Sequence, residues 1–82
     1  MREILWTLHY HSTVTAYLIS LGESGTRLRR FIKLLQFDPQ LNGWAIQKQN
    51  TNRYEICVEG HVVLYEIRDA RKEIRILLVE PY

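Results

Sequence analysis

The stretch RYEICVEGHVVLYEI, residues 53–67, limits the folding choices of this chain more than any other. Two runs rich in Val, Ile and Tyr flank Glu59-Gly60, and a two-residue loop between strands sets their register. Val58 then faces His61, Cys57 faces Val62, Ile56 faces Val63, Glu55 faces Leu64 and Tyr54 faces Tyr65. Side chains alternate between the two faces of such a ribbon. Tyr54, Ile56, Val58, His61, Val63 and Tyr65 share the more apolar face and are expected to carry the core. Glu55, Cys57, Val62, Leu64 and Glu66 share the other. The lone cysteine and His61 therefore point to opposite faces and lie outside the hydrogen-bond reach that a nucleophile and its base require. A three-residue loop with a bulge would shift the pairing and bring that dyad back into consideration.

A hairpin cannot bury its apolar face alone, so the rest of the chain must cover it. After the charged turn RDARK, the run EIRILLVEPY reads as a third strand, which completes an antiparallel meander. Near the start, Arg2 to Leu8 is rich in strand-favouring residues, with Ile4 and Trp6 on one face and Leu5 and Thr7 on the other. Ser12 and Thr13 offer N-caps to a helix with Val14, Tyr17, Leu18 and Leu21 at helical spacing, stopped by Gly22. Ser24 opens a second helix, striped by Leu28, Phe31, Ile32 and Leu35 and ended by Asp38-Pro39. Residues 40–52 are a polar connecting loop with an Asn42-Gly43 turn, and Trp44 and Ile46 are its expected anchors. The order β-α-α-β-β-β predicts an α+β fold: a helical hairpin on one face of a small, mainly antiparallel twisted sheet.

With 82 residues, residues 1–82 are expected to form a single domain with a thin core. Hydrophobic residues at 46% and charged residues at 24% exclude a disordered chain. One cysteine cannot form an internal disulfide, and neither a signal peptide nor an apolar run of membrane-spanning length is visible, so a cytoplasmic protein without a membrane partner is expected. The net charge of +2 hides two clusters: Arg27, Arg29, Arg30 and Lys33, then Arg68, Arg71, Lys72 and Arg75. Either can neutralise phosphate, and either can equally be a solvated face. His9 and His11 lack a third ligand at metal spacing, and no glycine-rich phosphate loop is present, so neither a metal nor a cofactor is expected.

Leu64-Tyr65-Glu66-Ile67 followed by Ile74-Arg75-Ile76-Leu77, with Ile4 to Thr7 as an opening strand, resembles the RelE/ParE superfamily of bacterial toxins. The two helices and the Asn42-Gly43 loop stand where that family places them, so the resemblance spans almost the whole chain. It implies the toxin of a type II toxin–antitoxin pair, neutralised by a cognate antitoxin. The RelE-like branch implies an endoribonuclease, an mRNA interferase acting at the ribosome; the ParE-like branch implies a protein that binds DNA gyrase, and a catalytically degenerate binding protein is a further alternative.

The RNase-type relatives carry arginines at positions aligned with Glu55, Cys57 and Val62, and a histidine or arginine near a tyrosine where this chain has Pro81-Tyr82. The resemblance thus implies a catalytic face that has lost three positive charges and gained one negative. Each lost transition-state contact can cost about 2.7–4 kcal/mol. Lys48, Arg53, Arg75 and Tyr82 are the residues expected to carry catalysis if it persists. RNA binding along the Arg27–Lys33 helix is a third reading.

Overall fold

The computed structural model describes residues 5–82, and its centre is the expected meander. In chain order the elements are strand β1 (Thr7–Tyr10), helix α1 (Ser12–Leu21), helix α2 (Thr26–Leu34), and strands β2 (Ile46–Gln47), β3 (Arg53–Val58), β4 (His61–Arg68) and β5 (Glu73–Pro81). They form one five-stranded sheet of order β1-β5-β4-β3-β2. Only β1 and β5 run parallel; the other neighbours are antiparallel. The α+β reading holds, with β2 as an added two-residue edge strand.

The hairpin register is the one the two-residue loop dictates, from Val58 opposite His61 to Tyr54 opposite Tyr65. Glu59 and Gly60 both have positive φ, 50° and 72°, as a primed two-residue turn requires. Glycine adopts this freely, whereas glutamate does not. Glu59→Asn should raise stability by up to about 1 kcal/mol. In a domain of this size that is a rise in melting temperature of roughly 4–8 °C, measurable by calorimetry.

Val14 and Leu18 of α1, with Leu28 and Ile32 of α2 and Leu35 just beyond it, pack onto Ile56, Val58, Val63, Tyr65, Ile67, Ile74, Ile76 and Val79 of the sheet. A bulge between Leu64 and Tyr65 of β4 pairs them with Leu78 and Ile76 of β5, leaving Leu77 as the extra residue. Without it, strict alternation would put Ile76 and Val79 on opposite faces; with it, both enter the core. Leu8 and Tyr10 of β1, with Trp6 just before the strand, turn inward while Thr7 and His9 are exposed.

Four local expectations are corrected. The first strand runs over Thr7–Tyr10 and not Arg2–Leu8, because β5 offers its parallel edge from Glu73 to Ile76; residues 2–4 of the expected strand lie outside the described residues. His11, and not Ser12 or Thr13, caps α1, its Nδ1 accepting from the Thr13 N–H at 3.2 Å. The segment from Gly22 to Gly25 is a tight turn, so α2 starts at Thr26 and not at Ser24. Trp44 and Ile46 are 70% and 65% exposed. Leu41 and Ala45 reach the core instead.

Candidate functional site

The helices cover one face of the sheet and leave the other open, and the register sorts that open face into cross-strand rows. One row reads His9, Arg75, Glu66, Arg53 across β1, β5, β4 and β3. The next towards the β4–β5 turn holds Thr7, Glu73 and Arg68. On the other side, Leu78 and Leu64 lead to Glu55 and Ile46, followed by Glu80, Val62 and Cys57. Apolar residues thus occupy the middle of the face, and charge is concentrated beyond them, towards the β4–β5 turn.

Among the described residues, Lys48, Arg53, Arg68 and Arg75 on this face each stand beside a carboxylate. Glu66 lies between Arg68, at 3.0 Å, and Arg53, at 3.8 Å. Glu73 meets His9 Nε2 at 3.0 Å and Arg75 Nε at 3.3 Å. Lys48 Nζ approaches Glu55 at 3.6 Å. The side chains of Glu66 and Glu73 are only 15% and 12% exposed, so they are the fixed centres around which the longer cations arrange. The neighbouring glutamates offset these cations and leave the face near charge balance, which weakens its pull on phosphate, although each arginine contact engages Nε alone.

Among the residues expected to carry catalysis, Arg53 and Arg75 flank Glu66 in one row, and Lys48 stands beside it near the β2 edge. Tyr82 is elsewhere. Its N–H donates to the Gly60 carbonyl at 3.2 Å, at the far end of β5. It stands seven positions along the chain from Arg75, roughly 20 Å away. Cys57 is exposed and has Val62 opposite, with Glu80 beyond, so no basic side chains converge on it. His61 faces the helices, its Nδ1 2.8 Å from the Glu59 carbonyl and its Nε2 2.8 Å from Tyr17 Oη. A carbonyl only accepts, so Nδ1 of a neutral His61 donates to it and Nε2 accepts from the tyrosine.

Sequence reasoning missed His9, Glu66, Arg68 and Glu73 as members of this network. The residue types were visible, but their adjacency depends on the parallel pairing of β1 with β5, for which the sequence carries no local signal. Among the described residues, no group of three or more His, Cys, Asp or Glu side chains could hold a metal ion. Among the described residues, no helix is long and apolar enough to cross a membrane.

A helical hairpin on a meander, closed at one edge by a parallel first strand, defines a small α+β domain with one covered and one open sheet face. The fold is that of the RelE toxins. The chain superposes on the archaeal RelE–RelB complex from Pyrococcus horikoshii OT3 with a TM-score of 0.77, at 20% identity over 94% of each chain. The isolated E. coli RelE toxin gives a TM-score of 0.69 at 14% identity, over 93% of this chain and 83% of that one. The RelBE2 toxin–antitoxin complex from Mycobacterium tuberculosis gives 0.63 at 15% identity, over 99% and 95%. No family model and no curated protein matches the sequence.

Proposed function

We propose that this chain is the toxin of a type II toxin–antitoxin pair, held inactive in the cytoplasm by a cognate antitoxin, and that it acts on its target by binding rather than by cutting RNA. The toxin part rests on the shared fold with RelE chains, several of them solved with RelB. One observation carries the rest: Lys48, Arg53, Arg68 and Arg75 each have a glutamate as neighbour. Stabilising charge on a phosphate in its transition state needs preorganised cations aimed at it, and a glutamate beside each cation offsets its charge. Binding a protein needs a complementary surface, and the middle of the open face offers Ile46 and Leu78 as exposed apolar contacts. DNA gyrase is the target that the ParE-like resemblance implies.

A second reading is mRNA cleavage at the ribosome, favoured by the shared row of His9, Arg75 and Arg53, which sets an imidazole among cations. Inducible expression separates the two. The wild-type chain should arrest growth, and co-expression of the product of an adjacent small acidic reading frame should relieve the arrest. A variant with Lys48, Arg53, Arg75 and Tyr82 all changed to alanine should arrest equally, with transcripts intact by primer extension. Cleaved transcripts and a harmless variant would establish the nuclease reading, whereas harmless wild-type expression would sink the toxin reading.

A further inference from the structure

A cavity of about 650 Å³ lies on the covered side of the sheet, past the end of α2, where residues 38–52 run across to β3. Trp6, Tyr54 and Ile67 give it an apolar floor. Its volume is that of a small-molecule site, and none of the cations of the open face lines it.

The rest of the lining mostly accepts hydrogen bonds. Asp38 follows α2 and Asp69 opens the β4–β5 turn, and among the described residues no salt bridge involves either of them. Gln40 Nε2 donates to Tyr54 Oη at 3.5 Å, and Gln47 Nε2 donates to the Thr51 carbonyl at 2.7 Å. Both carboxamides thus spend a donor on the chain itself and keep an oxygen that can accept. Among the described residues, no lysine, arginine or histidine lines the cavity.

Trp6 shows what such a wall attracts. Lys72 Nζ stands 4.7 Å from the centre of its ring, although Lys72 does not line the cavity.

We infer that this cavity binds a guanidinium group, with the rings of Trp6 and Tyr54 as stacking walls and the carboxylates of Asp38 and Asp69 as acceptors. A guanidinium is flat and permanently charged, and it offers five donors and no acceptor. It therefore matches a lining of rings, carboxylates and amide oxygens. A phosphate or a carboxylate would meet the two aspartates as like charges, and an ammonium has three donors and no flat face to stack. A neutral sugar would leave both carboxylate charges unanswered. The guanidinium belongs to arginine, either free or as a side chain in a peptide. Nothing in this site depends on the toxin reading or on the target of the toxin.

The test titrates the full chain, labelled with nitrogen-15, with N-acetylarginine amide and with the matching lysine and citrulline compounds, citrulline being the uncharged isostere of arginine. The arginine compound should shift the Trp6 indole signal saturably, with the lysine compound at least roughly threefold weaker and citrulline at least roughly tenfold weaker. Asp38→Asn and Asp69→Asn should each weaken arginine binding at least roughly threefold, whereas Glu23→Gln, on the helical hairpin, should not change it. Both aspartates are exposed, so the variants should keep the wild-type melting temperature. Lys72→Met removes a positive charge beside the site and should tighten binding.

A chain that binds none of the three compounds overturns the proposal. So does equal binding of citrulline and arginine, or arginine binding that ignores both aspartate substitutions. Lysine binding as tight as arginine binding overturns the choice of guanidinium. Free L-arginine and a capped Gly-Arg-Gly peptide then separate the two sources. The tripeptide should bind more tightly, since the free amino acid brings a carboxylate towards Asp38 and Asp69; the reverse order would assign the site to free arginine.

Discussion

Tyr65→Ala should leave a chain that is largely unfolded at 37 °C, the largest effect expected of any single substitution. Tyr65 is fully buried in the middle of β4, its ring stacked on Tyr54 at 6.0 Å between centroids. Removing a buried aromatic ring costs about 3–5 kcal/mol, and a single core in a chain little above the smallest domains supplies not much more than that. Tyr65→Phe separates the ring from its hydroxyl. The phenol donates to the Pro39 carbonyl at 2.6 Å and ties the loop after α2 to the sheet, so its loss should cost only about 1 kcal/mol.

The same hydroxyl gives stability a pH signature. Burial, then the neighbouring Tyr54 and Asp38, push its ionisation well above the ordinary 10.0. The folded chain therefore keeps this proton where the unfolded chain releases it. The stabilisation is complete below about pH 10 and is progressively lost as the pH climbs further. Melting temperatures of wild type and Tyr65→Phe, compared between about pH 8 and pH 11, should converge towards the alkaline end. Parallel curves would show that Tyr65 is not the source.

Gly25→Ala is the second large effect. Gly25 is buried at the junction of the two helices, and a β-carbon there would stand 2.9 Å from Leu21 Cβ and 2.9 Å from Arg29 Nη1. Arg29 cannot swing away cheaply, since that guanidinium satisfies the end of α1. The added methyl must spread the hairpin, at about 1–3 kcal/mol, against the gain normally expected when glycine becomes alanine near a helix. Denaturant titration measures it, and a neutral result would show that Leu21 yields.

The β-hairpin was legible because a two-residue loop leaves one register, and both helices were legible from their apolar spacing. Trp44 and Ile46 show where such reading fails. Apolar character says what burial would gain, not whether the backbone can turn that way. Leu41 and Asn42 adopt positive φ, 47° and 54°, in a bend that brings Leu41 and Ala45 to the core instead. The open face was half legible: parity placed Glu55, Cys57 and Val62 together, but the partner of each cation lies on a strand distant in sequence. The pairing of Arg75 with Glu73 and His9, and of Arg53 with Glu66, emerges only once the sheet order is known.

The sheet order also sets when the fold can be completed. The last strand sits inside the sheet, between β1 and β4, and Thr7 finds its partner only at Glu73. A chain emerging from the ribosome can form both helices and the β3–β4 hairpin, but β1 has no neighbour until β5 is made. Contacts of such long sequence separation form late and slowly. Nascent chains cut short before β5 would expose the apolar faces of β4 and both helices, making them substrates for chaperones and proteases rather than active protein. The sheet would then close only once β5 has been made, well after both helices and the β3–β4 hairpin can form.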